Sequence, residues 1–162
     1  MKTLYLLRHG QASWPSGLLG DFNRQLDTVG ERQAVAIGLR LAQAETKPEM
    51  IIASPADRTR QTARFVANAL SYPERQIHHL PEIYDADLQI LARIVEKYPA
   101  SLNCLLMVGH NPTLSYFGEW LTGEFNGHLD PCDLLAIGFD TEKWSEIGRG
   151  QGRLLWQSKS SR

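Results

Sequence analysis

Short, nearly all-apolar runs alternate along this chain with longer stretches of helical period, and that alternation most constrains the fold. Thr3-Leu4-Tyr5-Leu6-Leu7, Met50 to Ala53 and Leu105 to Val108 each read as a strand buried on both faces, as in a parallel sheet. The first helix is expected at Thr28, where Thr28-Val29-Gly30-Glu31 forms a capping box and Ala34, Ile37 and Leu41 line one face. Ser54 and Pro55 suit the N-cap and first turn of a second helix, whose apolar face is Phe65, Val66, Ala69 and Leu70. Ile77 to Leu80 reads as a short third strand, and Leu88, Leu91, Val95 and Tyr98 fit a third helix. After Leu105–Val108, Asn111-Pro112 opens a helix carrying Leu114, Phe117 and Leu121. Two strands close the pattern, Leu134–Phe139 and Arg153–Gln157, joined through the glycines of 148–152; Ser158 to Arg162 is expected to fray. The sum is an α/β domain.

Size and charge narrow the possibilities. At 162 residues the chain reads as a single domain spanning 1–162, and 43% hydrophobic residues are enough to build its core without staples. Seventeen basic residues against 18 acidic ones leave a net charge of −1. That balance argues against nucleic acid or an anionic membrane held by global electrostatics. Cys104 and Cys132 are the only cysteines, so neither a disulfide framework nor an all-cysteine metal site is available. They read as two reduced thiols, with one disulfide as the alternative. The N-terminal apolar run stops at Arg8, and no stretch approaches the roughly 20 apolar residues of a spanning helix. A soluble, cytoplasmic protein is expected.

Three strands run into suggestive polar groups: Arg8-His9-Gly10 after the first, Ser54-Pro55 with Arg58 after the second, and Gly109-His110 after the late one. In an open parallel sheet, ligands bind beyond the carboxyl ends of the strands, so these segments are expected to converge. Arg8 and Arg58 offer planar forks that match phosphate oxygens. Arg58 falls in the first turn of a helix, where free amides also favour an anion. His9 and His110 supply a nucleophile and a further donor, and Gly10 permits a sharp turn and close approach. The set describes a phosphate site with an imidazole nucleophile, although a site built only for binding looks the same at this level. No carboxylate-rich or HExxH cluster points to a metal hydrolase.

Leu4-Tyr5-Leu6-Leu7-Arg8-His9-Gly10 resembles the Arg-His-Gly signature of the histidine phosphatase superfamily, which includes cofactor-dependent phosphoglycerate mutases. Ser54-Pro55-Ala56-Asp57-Arg58-Thr59-Arg60-Gln61-Thr62-Ala63 is similar to the family's Ser-Pro-x-x-Arg-x-x-x-Thr-Ala block, and Val108-Gly109-His110-Asn111-Pro112 to its second-histidine block. Asp21-Phe22-Asn23-Arg24-Gln25-Leu26, followed by Gly30 and Ala34, resembles the Asp-x-x-Arg-x-Leu pattern of the short SixA-type phosphohistidine phosphatases. Gln11 stands where mutases usually have Glu.

The resemblance implies a phosphoglycerate mutase-like fold: a three-layer α/β/α domain around a mostly parallel sheet with C-terminal edge strands. It implies a hydrolase without metal or cofactor, in which His9 is phosphorylated and then hydrolysed while Arg8, Arg58 and His110 hold the phosphoryl oxygens. Gly10 and Gln11 join the substrate-binding set. Glu82 lies where many relatives place a proton-donating Glu, though Tyr84-Asp85-Ala86-Asp87 replaces the usual Gly-rich continuation, and Asp85 and Asp87 read as helix-entry residues. The expected partner is a phosphohistidine-bearing protein, with a small phosphate ester as the alternative. A non-catalytic phosphate-binding module is the reading from another class, and a mutase is a third. His78, His79 and His128 read as surface residues outside the site. Trp14 is read either as a pocket wall or as a loop anchor, and Arg24, Arg60 and Arg64 as positive charge near the cleft. Trp144 or Trp156 is a candidate partner contact, and the oligomeric state stays open.

Overall fold

The computed structural model describes residues 1–14 and 20–160. Residues 15–19, in the middle of the Gly10–Asp27 loop, and the last two residues lie outside the described residues. Strands β1 (Lys2–Arg8), β2 (Met50–Ala53), β3 (His78–His79), β4 (Cys104–Gly109), β5 (Leu134–Phe139) and β6 (Gly152–Ser158) form one sheet in the order β3-β2-β4-β1-β5-β6. The first four in that order are parallel, and β5 and β6 add on antiparallel. The predicted third strand shrinks to two residues, because Leu80 donates its N–H to Ala53 O and the chain then turns into a short 3-10 turn at Pro81–Ile83.

Helices cover both faces, and the period-two alternation of β1 shows why. Leu4 and Leu6 point into a core closed by α3 (Leu88–Glu96) and α4 (Thr113–Thr122), where Leu91, Val95, Leu114, Phe117 and Leu121 are buried. Tyr5 and Leu7 point into a second core closed by α1 (Thr28–Ala42) and α2 (Asp57–Ala69), with Ile37, Leu41, Ala63 and Val66. The result is a three-layer α/β/α arrangement. None of the described helices is long and apolar enough to cross a membrane.

Several local readings need correction. The cap of α1 is Asp27, whose carboxylate accepts from Gly30 N–H at 2.8 Å, one residue ahead of the expected Thr28. The cap position of α2 is Ala56, with no side-chain cap, and Ser54 lies two residues ahead of it, its Oγ accepting from Ala56 N–H at 3.3 Å. The cysteine reading needs no correction: both are buried free thiols, as expected. Trp144 is buried and donates to Leu102 O, so it offers no partner contact. The chain end through Ser160 does not fray: Ser158 pairs with Leu134, and Ser160 N–H donates to the buried Asp133 carboxylate.

Candidate active site

The sheet itself assembles the site. Parallel pairing sets Arg8 beside Gly109, so β1 and β4 end together and pass directly into His9 and His110. His9 N–H donates to Gly109 O at 3.1 Å, and Ser54 N–H, leaving β2, donates to Val108 O at 3.1 Å. The two imidazoles sit with ring centroids 5.3 Å apart. Arg58, in the first turn of α2, reaches both. These groups line a cavity of about 710 Å³ together with Gln11, Trp14, Asp21, Arg24 and Tyr84.

Hydrogen-bond partners settle the protonation of His9. Arg58 Nε can only donate, and it lies 3.3 Å from His9 Nε2, so that nitrogen carries a lone pair. The proton therefore sits on Nδ1, which donates to Gly10 O at 2.7 Å. Burial pushes the imidazole pKa down to about 3; the bond to Gly10 opposes this, and His110, Arg58 and Arg8 add to it. His9 is thus a neutral, cavity-lining imidazole whose unprotonated Nε2 accepts from Arg58. Close backbone packing holds its loop. A Cβ on Gly30 would fall 2.0 Å from Gln11 O, and one on Gly10 would fall 2.8 Å from Gly30 O. Gly10 N–H also donates to Thr62 Oγ1 on α2.

The same reasoning applies to His110. Arg58 Nη2 lies 3.4 Å from His110 Nδ1, which must accept, and Nε2 then donates to Ser54 Oγ at 2.9 Å. Burial and the neighbouring Arg58 push its pKa down to about 4. Arg58 is itself buried, and Asp21 occupies its outer face. Nη1 donates to Asp21 O at 2.7 Å, and Nη2 donates to the Asp21 carboxylate at 3.0 Å. Tyr84 donates its hydroxyl to the same carboxylate oxygen at 2.7 Å. The Tyr84 bond foremost, with Arg58 and Arg24, brings the Asp21 pKa to about 2 against burial, which opposes them and ranks second only to the Tyr84 bond. A carboxylate therefore lies where an anionic substrate would meet the guanidinium. Arg8 donates from Nη1 to Leu129 O at 2.8 Å.

The model of the histidine phosphatase superfamily (branch 1) matches residues 4–105, well over half of the chain. The chain belongs to the histidine phosphatase superfamily. It is a hydrolase of the histidine phosphatase type, and its substrate is phosphorylated. An uncharacterized protein of Picosynechococcus sp. is 32% identical, covering 77% of this chain and 76% of its own. Among solved structures, the protein histidine phosphatase SixA complexed with tungstate superposes with a TM-score of 0.83 at 22% identity, covering 97% of this chain and 96% of that one. A phosphoserine phosphatase from Entamoeba histolytica, in complex with 3-phosphoglyceric acid, gives 0.71 at 14% identity and covers 98% of each chain. These likenesses make the fold phosphoglycerate mutase-like.

In this histidine phosphatase the structure brings together Arg8, His9, Gln11, Arg58 and His110 around one cavity. Gly10 packs against Gly30 behind it and orients His9 through its carbonyl. Glu82 does not line the cavity. It is exposed on the 3-10 turn, because Ile83 beside it is anchored in the core. The carboxylates that do line it are Asp21, Asp27 and Asp85, the last of which was read only as a helix-entry residue. Asp87 caps α3 by accepting from Ile90 N–H. Of the three extra arginines, Arg24 alone lines the cavity, stacked at 5.2 Å on a Trp14 ring that is 84% exposed. His128 packs on Phe125 outside it, and His78 and His79 lie on the edge strand. Sequence reasoning missed Ser54, Asp21 and Tyr84 as site residues. Only the Asp-x-x-Arg-x-Leu spacing drew attention to the Asp21 segment.

Proposed function

We propose that the protein removes phosphoryl groups from phosphohistidine on other proteins, with His9 as the nucleophile. The observation that carries the reading is the unprotonated Nε2 of a neutral, buried His9, held by Arg58 Nε–H in a cavity that Arg8 and a second imidazole also line. His9 Nε2 attacks phosphorus and the bond to the leaving nitrogen breaks. That bond's electron pair stays on the departing imidazole. Arg8 and Arg58 balance the charge that develops on the equatorial oxygens. Water then attacks the phosphorylated His9, the Nε2–P bond breaks, and inorganic phosphate leaves.

The choice of leaving group rests on Asp21. This carboxylate, in contact with Arg58, is held ionised with a pKa of about 2, so it has no proton to give. Glu82 stands outside the cavity. An alkoxide leaving group needs a proton from the enzyme. A phosphoimidazole protonated on its other nitrogen brings its own, and that cation suits a mouth bordered by Asp21 and Asp85. The exposed face of Trp14 gives a flat surface for such a ring or for the protein that carries it.

To donate to a phosphoryl oxygen from Nδ1, His110 must change its donor pattern, because Nδ1 accepts from Arg58 Nη2. Ser54 permits the change. Its hydroxyl can turn to donate to Nε2, which moves the imidazole proton to Nδ1 and toward the phosphoryl oxygens.

Hydrolysis of a phosphohistidine-bearing protein domain and of a small phosphate ester, by wild type and His9→Ala, tests the reading. Wild type is expected to turn over the phosphohistidine substrate faster, with His9→Ala slower by at least about a thousandfold. Equal activity of His9→Ala would overturn the nucleophile, and a preference for the ester would overturn the substrate class.

A further inference from the structure

A second cavity, of about 500 Å³, lies between α1 and the end of β6. Arg32, Gln33 and Arg40 reach it from one face of α1, Cys132 forms part of its floor, and Ser158 and Lys159 close the far side. Its volume falls within the roughly 300–1,000 Å³ of small-molecule sites. Among the described residues no carboxylate lines it.

Arg40 and Lys159 are pre-positioned, whereas Arg32 is exposed. The Arg40 guanidinium lies 4.8 Å over the Trp156 ring and donates from Nη1 to Ser158 Oγ at 3.0 Å. Lys159 is held by the buried Asp133 carboxylate at 3.2 Å, which neutralises its charge. Among the described residues no acidic side chain pairs with Arg32 or Arg40, so two guanidinium charges remain uncompensated. A planar fork fixed in orientation recognises paired oxygens and loses little freedom on binding. The chain as a whole carries a net charge of −1, so this is a local concentration of positive charge rather than a basic surface.

The geometry points to a second, non-catalytic binding site here for a small organic dianion, a phosphomonoester or a dicarboxylate, gripped by Arg32 and Arg40. It is separate from the active-site cavity but shares a wall with it. Cys132 N–H donates to the carbonyls of Arg8 and His9 at 3.0 Å each, and the buried Gln33 Oε1 accepts from Gln11 N–H at 2.9 Å. Cys132 lines the second cavity while Pro131 lines the first.

Calorimetric titration with inorganic phosphate and, separately, with malonate tests the site. Wild type is expected to bind phosphate at two sites. Arg58→Ala should lose the active-site event and keep the other. Arg32→Glu should show the converse, weakening the second event by at least about tenfold while keeping its melting temperature and its phosphatase activity. Malonate binding by Arg58→Ala that disappears in the Arg32→Glu, Arg58→Ala double variant would extend the ligand class to dicarboxylates; phosphate binding alone would restrict it to phosphomonoesters. The site is overturned if Arg58→Ala binds neither anion, or if Arg32→Glu titrates like wild type. The Arg58→Ala result stands whether or not wild type hydrolyses phosphohistidine, so failure of that reading and failure of this one are told apart.

Discussion

Asp21 is the residue that most changes how the site is understood. Its carboxylate sits on Arg58 and is held there by Tyr84, so an incoming phosphoryl group must displace it or share the guanidinium with it. Asp21→Asn keeps the shape and removes the competing charge. Phosphate affinity, measured by titration, should rise by roughly three- to tenfold, and stability should fall by no more than about 1 kcal/mol, because the carboxylate is half exposed. Unchanged or weaker phosphate binding would contradict the competition. Arg8, His9, Arg58 and His110 were legible in the sequence because each lies at or shortly after a strand end, where chain order and position in space agree. Asp21 and Tyr84 were not, because they meet Arg58 from two separate loops and no periodicity records that meeting. Glu82 lies outside the cavity for a local reason: Ile83 beside it is buried, and Glu82 stays exposed on the turn.

Among the elements, the junction of β1, its following loop and α1 is under the tightest constraint. Gly30, in the first turn of α1, touches the backbone of Gln11, and this contact lets the helix start abut the loop that carries His9. Gly30→Ala puts a methyl group 2.0 Å from a carbonyl oxygen. It should destabilise the fold by about 3 kcal/mol or more in urea unfolding and disturb His9, whereas the same change at exposed Gly20, with open space around it, should cost under about 1 kcal/mol. Equal costs at the two positions would refute the close-approach account. The apolar runs revealed β1, β2, β4 and β5 because burial on both faces demands them. Cap positions were harder to read. Thr28 matched a capping box, but Asp27, adjacent to it, won the Gly30 amide and also accepts from Gln11 Nε2. Ser54 looked like a cap, yet His110 claims its hydroxyl. At Ser54 a tertiary contact outweighed the local signal, whereas at Thr28 one local cap displaced its neighbour.

For the whole molecule, the buried histidines link catalysis to stability. His9 and His110 titrate at about 3 and about 4 when folded, against 6.5 ordinarily. Between those values the unfolded chain binds more protons than the folded one, so stability falls as pH drops below about 6.5 and continues to fall until the folded values are passed. His110 alone contributes on the order of 3 kcal/mol to that loss. Urea midpoints measured across this window should fall more steeply for wild type than for His110→Asn, and parallel slopes would contradict the buried neutral imidazole. The three-layer architecture was legible from the alternation of strand and helix patterns, and the charge balance gave no hint of the local basic cavity beside α1. The central claim is that Nε2 of His9 takes the phosphoryl group. Rapid quenching of wild type with a phosphohistidine substrate into alkali, followed by mass spectrometry of the proteolytic peptides, tests it directly. One added phosphoryl group on the peptide containing His9, absent from His9→Ala, is the predicted result; phosphate release with no label at His9, or with label on another residue, would contradict it.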